Sequence, residues 1–135
     1  MNKGAQHVVT DASALVNTLI MPDLQELRQR LRDATCHAPH LVDAEVGQAV
    51  RKHARSGLIS AEMGETVLSS VAHLVDHRYP HTGPIGQLAW QLRHSVSYYD
   101  ALYVALAAAL DVPLLTADAK LANAHGLPCK VEVVC

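Results

Sequence analysis

Short apolar runs alternate along this chain with longer segments in which apolar residues recur at helical spacing. The runs cover residues 7–10, 36–39, 112–116 and 130–134. They are apolar or short and lack a regular alternation of apolar and polar residues, which favours strands that are covered on both faces. The pattern therefore predicts an α/β fold, a three-layer α/β/α sandwich with a short, mostly parallel central sheet.

The segments between these runs predict the helices. Their apolar residues fall on one face, and capping residues or prolines stand at several starts, with Gly57 as a stop signal. The predicted helices cover residues 13–19, 24–32, 41–55, 60–76, 85–94 and 101–110, with a helical turn through 121–122. The short segment 77–81 contains Pro80 and predicts an edge strand.

Composition limits the domain count and the kind of nucleic-acid contact. A chain of 135 residues with 50% hydrophobic content buries one core and is too short for two ordinary domains, so residues 1–135 are predicted to form a single domain. The formal net charge of -2 gives no overall basic field, so RNA or DNA contact would depend on local arginines or on bound metal. Phenylalanine is absent and tryptophan occurs once, which predicts an aliphatic core and little aromatic surface for base stacking.

Cysteine usage and the opening residues bear on the compartment. Cys36, Cys129 and Cys135 form no C-x-x-C pair and leave one cysteine without a disulfide partner, which favours a reducing environment. Residues 1–4 lead into a short apolar stretch that Asp11 interrupts, so neither a signal-peptide core nor a membrane span is predicted there. We therefore expect a soluble cytoplasmic protein.

Four acidic residues lie where strands end or where helices begin. Asp11 directly follows the first predicted strand, and Asp118 comes two residues after the predicted strand 112–116. Asp100 lies in the first turn of a predicted helix, and Glu45 lies on the inward face of the helix after the second strand. Because ligands bind outside the carboxyl ends of parallel strands, we expect these four carboxylates to cluster.

A cluster of four carboxylates predicts a bound cation. The negative charges repel one another, and burying them without compensation is costly. Ligands that are all oxygen favour Mg²⁺ or Mn²⁺, as one ion or two. One ion can activate a water for in-line attack and a second can stabilise the leaving oxygen. The expected reaction is therefore hydrolysis of a phosphodiester bond.

The stretches that contain these acids resemble the four signature stretches of PIN-domain nucleases. They are residues 8–15, 39–46, 97–107 and 113–121, in the order that the family shows. Each stretch alone is weakly diagnostic, whereas four in order with compatible spacing form a specific signal. The resemblance covers nearly the whole chain, and the chain length fits the VapC toxins within this family.

The resemblance implies a metal-dependent endoribonuclease that uses Mg²⁺ or Mn²⁺. The implied metal-binding and catalytic set is Asp11, Glu45, Asp100 and Asp118, with Ser13 and Thr116 as supporting hydroxyls. The resemblance also implies a PIN-type α/β/α sandwich, an RNA substrate, a homodimer and inhibition by a VapB-type antitoxin. All four signature acids are present, so the sequence gives no reason to expect an inactive site.

Each acid also has a purely structural explanation. Asp11 and Asp118 could cap the helices that follow them, and Asp100 forms a capping-box pattern with Ser97. Glu45 could be an ordinary solvated helix residue. These roles are compatible with metal binding, and the joint placement of the four acids is what favours the metal site.

Histidines and arginines provide further candidates. His73 and His77 stand four residues apart, a spacing that would share a helix face and could bind zinc, but no H-E-x-x-H glutamate or nearby cysteine accompanies them. Arg51 and Arg55 follow Glu45 on the same predicted helix and are the better candidates for contact with RNA.

Three other functions match parts of the pattern. A phosphatase of the haloacid dehalogenase type needs a second aspartate two residues after the first, where this chain has Ser13. A phospho-accepting receiver needs an acidic pair beside the first strand and a central aspartate, which the sequence lacks. A catalytically silent PIN-like or receiver-like metal-binding interaction module is the alternative to a ribonuclease.

Overall fold

A five-stranded parallel sheet forms the centre of the computed structural model, which describes residues 6–134. Its strands are β1 (His7–Thr10), β2 (Thr35–Pro39), β3 (His77–Tyr79), β4 (Leu114–Thr116) and β5 (Val131–Val133). They stand in the order β3-β2-β1-β4-β5, and every neighbouring pair is parallel. Residues 1–4 and Cys135, on which the predictions about a leader and a third thiol depend, lie outside the described residues.

Seven helices connect the strands within the described residues. They are α1 (Ala12–Ile20), α2 (Gln25–Asp33), α3 (Leu41–Arg55), α4 (Ala61–Leu74), α5 (Pro84–Gln91), α6 (Tyr98–Leu110) and α7 (Ala119–Ala122). The predicted elements are all present, and the α/β fold is confirmed. The ends differ by a few residues, most clearly at α6, which begins at Tyr98 because the Ser97 side chain caps it.

The chain order places the helices on two faces of the sheet. From β1 to β3 the chain moves in one direction across the sheet, and it then returns past β2 and β1 to reach β4. Because crossovers between parallel strands are right-handed, this reversal puts α1 to α4 on one face and α5 to α7 on the other. The contacts agree, since α1, α3 and α4 pack together while α5 packs against α6.

The core is aliphatic, as the composition predicts. Val8 and Val9 of β1 and Leu114 and Leu115 of β4 are fully buried, so the central strands are covered on both faces. Helix α6 is buried along seven consecutive residues, 101–107, because it lies between the sheet and α5. Within residues 6–134, no helix combines the length and the apolar composition that crossing a membrane requires.

Candidate active site

The strand order reverses between β1 and β4, and an acidic residue follows each of these strands. The chain leaves β1 toward β2 on one side and leaves β4 toward β5 on the other, so the two following loops diverge. In open α/β sheets such a divergence forms a crevice at the carboxyl edge. Asp11 follows β1 directly, and Asp118 follows β4 by two residues.

The carboxylate of Asp11 is buried and is held by three donors. Its side chain is 7% exposed. Its Oδ1 accepts hydrogen bonds from the Ala14 backbone N at 2.9 Å and from the Ser13 Oγ at 2.7 Å, and its Oδ2 accepts one from the Thr116 Oγ1. Burial raises the pKa of Asp11, and these hydrogen bonds oppose the rise. Asp11 therefore caps α1 and also has a fixed orientation.

The hydroxyls of Ser13 and Thr116 join the loops that follow β1 and β4. Each hydroxyl donates to Asp11 and also accepts from the backbone of the second loop. The Ser13 Oγ accepts from the Ala117 N at 3.0 Å, and the Thr116 Oγ1 accepts from the Asp118 N at 3.1 Å. The two residues thus contact Asp11 directly and fix the two sides of the crevice together.

Glu45 lies in the second turn of α3 and is partly buried beside α6. Its Oε1 accepts a hydrogen bond of 2.6 Å from the hydroxyl of Tyr103. Burial raises the pKa of Glu45, and the charges of Asp100 and Asp11 raise it further, while the bond from Tyr103 opposes the rise. Glu45 therefore belongs to the same electrostatic group as two of the other acids.

Tyr103 is a site residue that the sequence analysis did not identify. Its side chain is 1% exposed, and it lies one helical turn after Asp100 on α6. Burial raises the pKa of the Tyr103 phenol above its ordinary value, so the phenol remains a neutral donor toward Glu45. The sequence does contain a signal for this role, since Tyr103 places a hydroxyl-bearing ring in the apolar part of α6. A buried phenol requires a hydrogen-bond partner, which predicts a polar group nearby.

Asp100 and Asp118 occupy helix starts, as their structural explanations predict. The Asp100 backbone N donates to the Ser97 Oγ at 3.2 Å, and the Asp118 Oδ1 accepts from the Lys120 N at 2.9 Å. Burial raises the pKa of Asp100, a hydrogen bond with the Ser97 side chain opposes this, and the charges of Asp11 and Asp118 add to the rise. Asp118 is exposed, whereas Asp100 is partly buried.

The four acids therefore form one group of interacting negative charges. The pKa of Asp11 responds to Asp118, that of Glu45 responds to Asp100 and Asp11, and that of Asp100 responds to Asp11 and Asp118. In residues 6–134, no lysine, arginine or histidine side chain forms a hydrogen bond or an ion pair with Asp11, Glu45 or Asp100. The net local charge is negative and is not neutralised by the described protein groups.

This donor set fits a hard divalent cation that keeps part of its hydration shell. Among the described residues, no three His, Cys, Asp or Glu side chains stand close enough together to hold a metal ion directly. Mg²⁺ in proteins commonly binds one or two carboxylates and retains several waters, so a closed set of protein ligands is not required. The residues that could hold such an ion are Asp11, Glu45 and Asp100, with Asp118 at the exposed side.

Arg51 and Arg55, the predicted RNA contacts, lie farther along α3. Both side chains are exposed. They follow Glu45 by about 9 and 15 Å along the helix axis, so they are not part of the carboxylate group. Their position on the surface of α3 is compatible with contact to a long substrate and with simple solvation.

The helical pairing of His73 and His77, the basis of the zinc hypothesis, is wrong. Helix α4 ends at Leu74, and His77 is the first residue of β3. The two histidines therefore do not share a helix face. The His77 ring instead stacks on His37, with 5.1 Å between ring centroids.

Comparison with protein families identifies the fold. The PIN domain model matches residues 8–127. The chain belongs to the PIN-domain family. The match spans all four acids and both supporting hydroxyls, so the group around Asp11 occupies the region that defines this family.

Relatives and solved structures are similar to this chain over nearly its whole length. The chain is 49% identical over 128 residues to Ribonuclease VapC1 of Mycobacterium tuberculosis, an alignment that covers 93% of this chain and 96% of that protein. The crystal structure of PAE2754 from Pyrobaculum aerophilum matches with a TM-score of 0.71 and 22% identity, covering 94% of this chain and 84% of that one. VapBC-5 of Mycobacterium tuberculosis, from a family of toxin-antitoxin systems, matches with a TM-score of 0.58 and 17% identity, covering 95% and 98% of the two chains.

Proposed function

We propose that this protein is a divalent-metal-dependent endoribonuclease and the toxin of a VapBC-type pair. The observation that carries the proposal is the carboxylate of Asp11, buried and oriented by three donors, in a group of acids that no described cation neutralises. The 49% identity to a protein named Ribonuclease VapC1 supports the class of reaction.

Asp11, Glu45 and Asp100 would share the cation, partly through the waters that it retains, and the exposed Asp118 would also act through water. When bound, a divalent ion supplies activation of a water for in-line attack on phosphorus and offsets the charge of the scissile phosphate. Without it, the acids would repel an RNA backbone, since their negative charges are not neutralised by the described protein groups.

The chain's own residues orient the carboxylates before any ion binds. Ser13 and Thr116 hold both oxygens of Asp11, and Tyr103 holds one oxygen of Glu45. Pre-orientation of this kind lowers the cost of ordering ligands when the ion arrives. Protons compete with the ion for the same carboxylates, so we expect ion binding and RNA cleavage to weaken in acid.

Three partners follow from the proposed function. The substrate is RNA, cut by hydrolysis of a phosphodiester bond. A VapB-type antitoxin would inhibit the protein, an idea supported by the matching structure from a VapBC toxin-antitoxin system. The active form would be a homodimer, and light scattering of the purified protein tests this.

The test of the function is cleavage of RNA by the full chain with Mg²⁺ or Mn²⁺. We expect wild type to cleave and Asp11→Asn or Asp100→Asn to lose about a hundredfold or more in rate, since a metal-water mechanism requires these ligands. The matched control is Asp43→Asn. Asp43 lies on the same helix as Glu45, and it is an exposed acid that pairs with Arg78. Its rate should stay close to that of wild type.

The same assay distinguishes the alternative function. A wild-type protein that binds the cation by calorimetry but cleaves no RNA would be a silent PIN-like interaction module. Equal cleavage by wild type and by Asp11→Asn would instead reject the proposed site.

A further inference from the structure

Three of the five aromatic side chains in the chain are exposed near the start of α6. Trp90 is 60% exposed, Tyr98 is 43% exposed and Tyr99 is 58% exposed. Trp90 and Tyr98 line an open groove of about 1080 Å³, together with Arg93 and Ser97. We call this the aromatic groove. The low aromatic content predicts little stacking surface, but the fold concentrates that surface in one place.

The groove has a fixed cation beside its largest ring. The Arg93 guanidinium lies 4.9 Å from the centroid of the Trp90 ring, and its Nη1 donates to the Trp90 carbonyl O at 3.1 Å. The hydrogen bond to the carbonyl orients the guanidinium, and the cation–π contact holds it over the ring. The exposed remainder of Trp90 therefore lies next to a positive charge.

A glycine makes the packing beneath the groove possible. A Cβ placed on Gly86 of α5 would lie 2.2 Å from the His81 carbonyl O and 3.2 Å from the Tyr98 hydroxyl. Only glycine lets the turn at residues 81–83 and the Tyr98 ring approach α5 this closely. The aromatic groove is thus built by close backbone packing and is not a chance grouping of surface side chains.

The groove adjoins the start of α6, the helix that carries Asp100. Ser97 lines the groove, and its Oγ accepts the hydrogen bond from the Asp100 backbone N. Tyr98 and Asp100 lie in the same first turn of α6. A molecule in the aromatic groove would therefore lie beside the helix turn that carries Asp100.

The chemistry of the lining favours one occupant. Among the described residues, no carboxylate lines the groove, and Arg93 with the amides of Gln87 and Gln91 supplies donors suited to phosphate and base edges. Exposed aromatic faces beside an arginine stack unpaired bases, which is how single-stranded nucleic acid is commonly held. We infer that the aromatic groove binds an unpaired base of the RNA next to the phosphate positioned at Asp100.

This inference rests on the proposed ribonuclease function, and Trp90 permits a direct test because it is the only tryptophan in the sequence. Fluorescence of the full chain is followed while a single-stranded RNA oligonucleotide is added in EDTA, and again with Asp11→Asn protein in Mg²⁺. We expect saturable quenching by the single strand and little by a duplex of the same sequence. Retention of the single strand on a filter without quenching would overturn the inference.

Cleavage kinetics provide the second readout. Trp90→Leu and Tyr98→Leu should raise KM by about tenfold while kcat changes by less than about twofold, since stacking contributes to binding in this range. The control is Leu58→Ala, which changes an apolar residue just after α3 that is about as exposed as Trp90 and should leave both constants unchanged. Unchanged KM in both aromatic variants would overturn the inference.

A second copy of the chain is the competing occupant. In that case Trp90 fluorescence would shift with protein concentration in the absence of RNA, and Trp90→Leu would lower the mass measured by light scattering, which would reject the RNA assignment. Failure of the proposed function would give a different result from failure of this inference. Wild type would then cleave no RNA, whether or not single strands quench Trp90 fluorescence.

Discussion

The hydroxyl of Tyr103 donates a hydrogen bond of 2.6 Å to Oε1 of Glu45. This contact joins the buried middle of α6 to the acidic end of α3, so the position of a metal-binding candidate depends on a residue inside the core. Tyr103 is therefore a positioning residue in the proposed mechanism, since it acts through Glu45.

Replacing Tyr103 by phenylalanine removes this bond and keeps the ring packing. We expect RNA cleavage to fall by about tenfold and the Mg²⁺ concentration for half-maximal activity to rise, because Glu45 loses one fixed oxygen. The free energy of unfolding should fall by only about 1 kcal/mol. Kinetics at varied Mg²⁺ and urea unfolding measure the two effects.

The matched control is Tyr79→Phe, which deletes a phenol that bonds to the His37 Nδ1 at 2.8 Å in another part of the sheet. It should alter stability by a similar amount and leave the Mg²⁺ dependence unchanged. A Tyr103→Phe variant with wild-type Mg²⁺ dependence would contradict the positioning role.

Thr116→Val tests the bond that fixes the second oxygen of Asp11. The two side chains have nearly the same shape, so the change removes donation to Asp11 and acceptance from the Asp118 N. We expect a loss of about 1–3 kcal/mol in the free energy of unfolding, because a buried carboxylate loses a donor, and a clear loss of cleavage. Thr116→Ser retains the hydroxyl and should keep most of the stability and most of the cleavage rate. Chemical unfolding and RNA cleavage assays measure the two quantities.

The acidic group predicts an unusual pH dependence of stability for the metal-free protein. Burial and mutual repulsion raise the pKa of Asp11, Glu45 and Asp100 in the folded state, so the folded protein binds more protons than the unfolded chain between about pH 4 and the raised values. The contribution of these groups to stability is therefore fully present below about pH 4 and decreases as the pH rises through the raised pKa values.

Asp100→Asn removes one of these charges and provides the measurement. In EDTA at pH 7 its Tm should exceed that of wild type, and the difference should shrink toward pH 4. Added Mg²⁺ should raise the Tm of wild type more than that of the variant, because the ion binds the folded state. A variant that is less stable than wild type at pH 7 in EDTA would argue against repulsion within this group.

Gly86 tests the close packing beneath the aromatic groove, and Gly47 provides the matched control. Gly86→Ala places a Cβ against the His81 carbonyl O, so we expect a loss of about 1–3 kcal/mol in unfolding free energy and weaker quenching by RNA. A Cβ at Gly47 on α3 meets no atom of the described residues within 4 Å, so Gly47→Ala should stabilise the protein by about 0.5–1 kcal/mol. Thermal unfolding measures the stability of the two variants. Equal changes in stability would contradict the close approach of the His81 carbonyl to Gly86.

The sequence predicts most of this fold because its signals are local. The apolar runs, the Ser97 cap and the Gly57 stop each act within a few residues, and they place the strands and helices almost as the structure has them. The positions of Asp11 and Asp118 at the carboxyl edge follow from the same signals.

Contacts between distant elements could not be predicted in this way. The bond from Tyr103 to Glu45 joins helices on opposite faces of the sheet, so it depends on how both helices pack around the sheet, which no local pattern encodes. The distances among the four acids likewise depend on strand order and loop divergence, so their pattern indicates proximity but not a closed ligand set. His73 and His77 fit a helical spacing, but the chain turns into β3 between them.

The hydrogen bond between Thr116 and Asp11 joins positions that are 105 residues apart in sequence. During synthesis, Asp11 emerges from the ribosome long before its partner, and a contact of such separation forms late in folding. Until β4 has been made and paired, the second oxygen of Asp11 is therefore not fixed and the crevice beside it is not formed. A growing chain would therefore carry an unassembled crevice until at least residue 116 has been made, so the proposed cleavage of RNA would have to wait for β4.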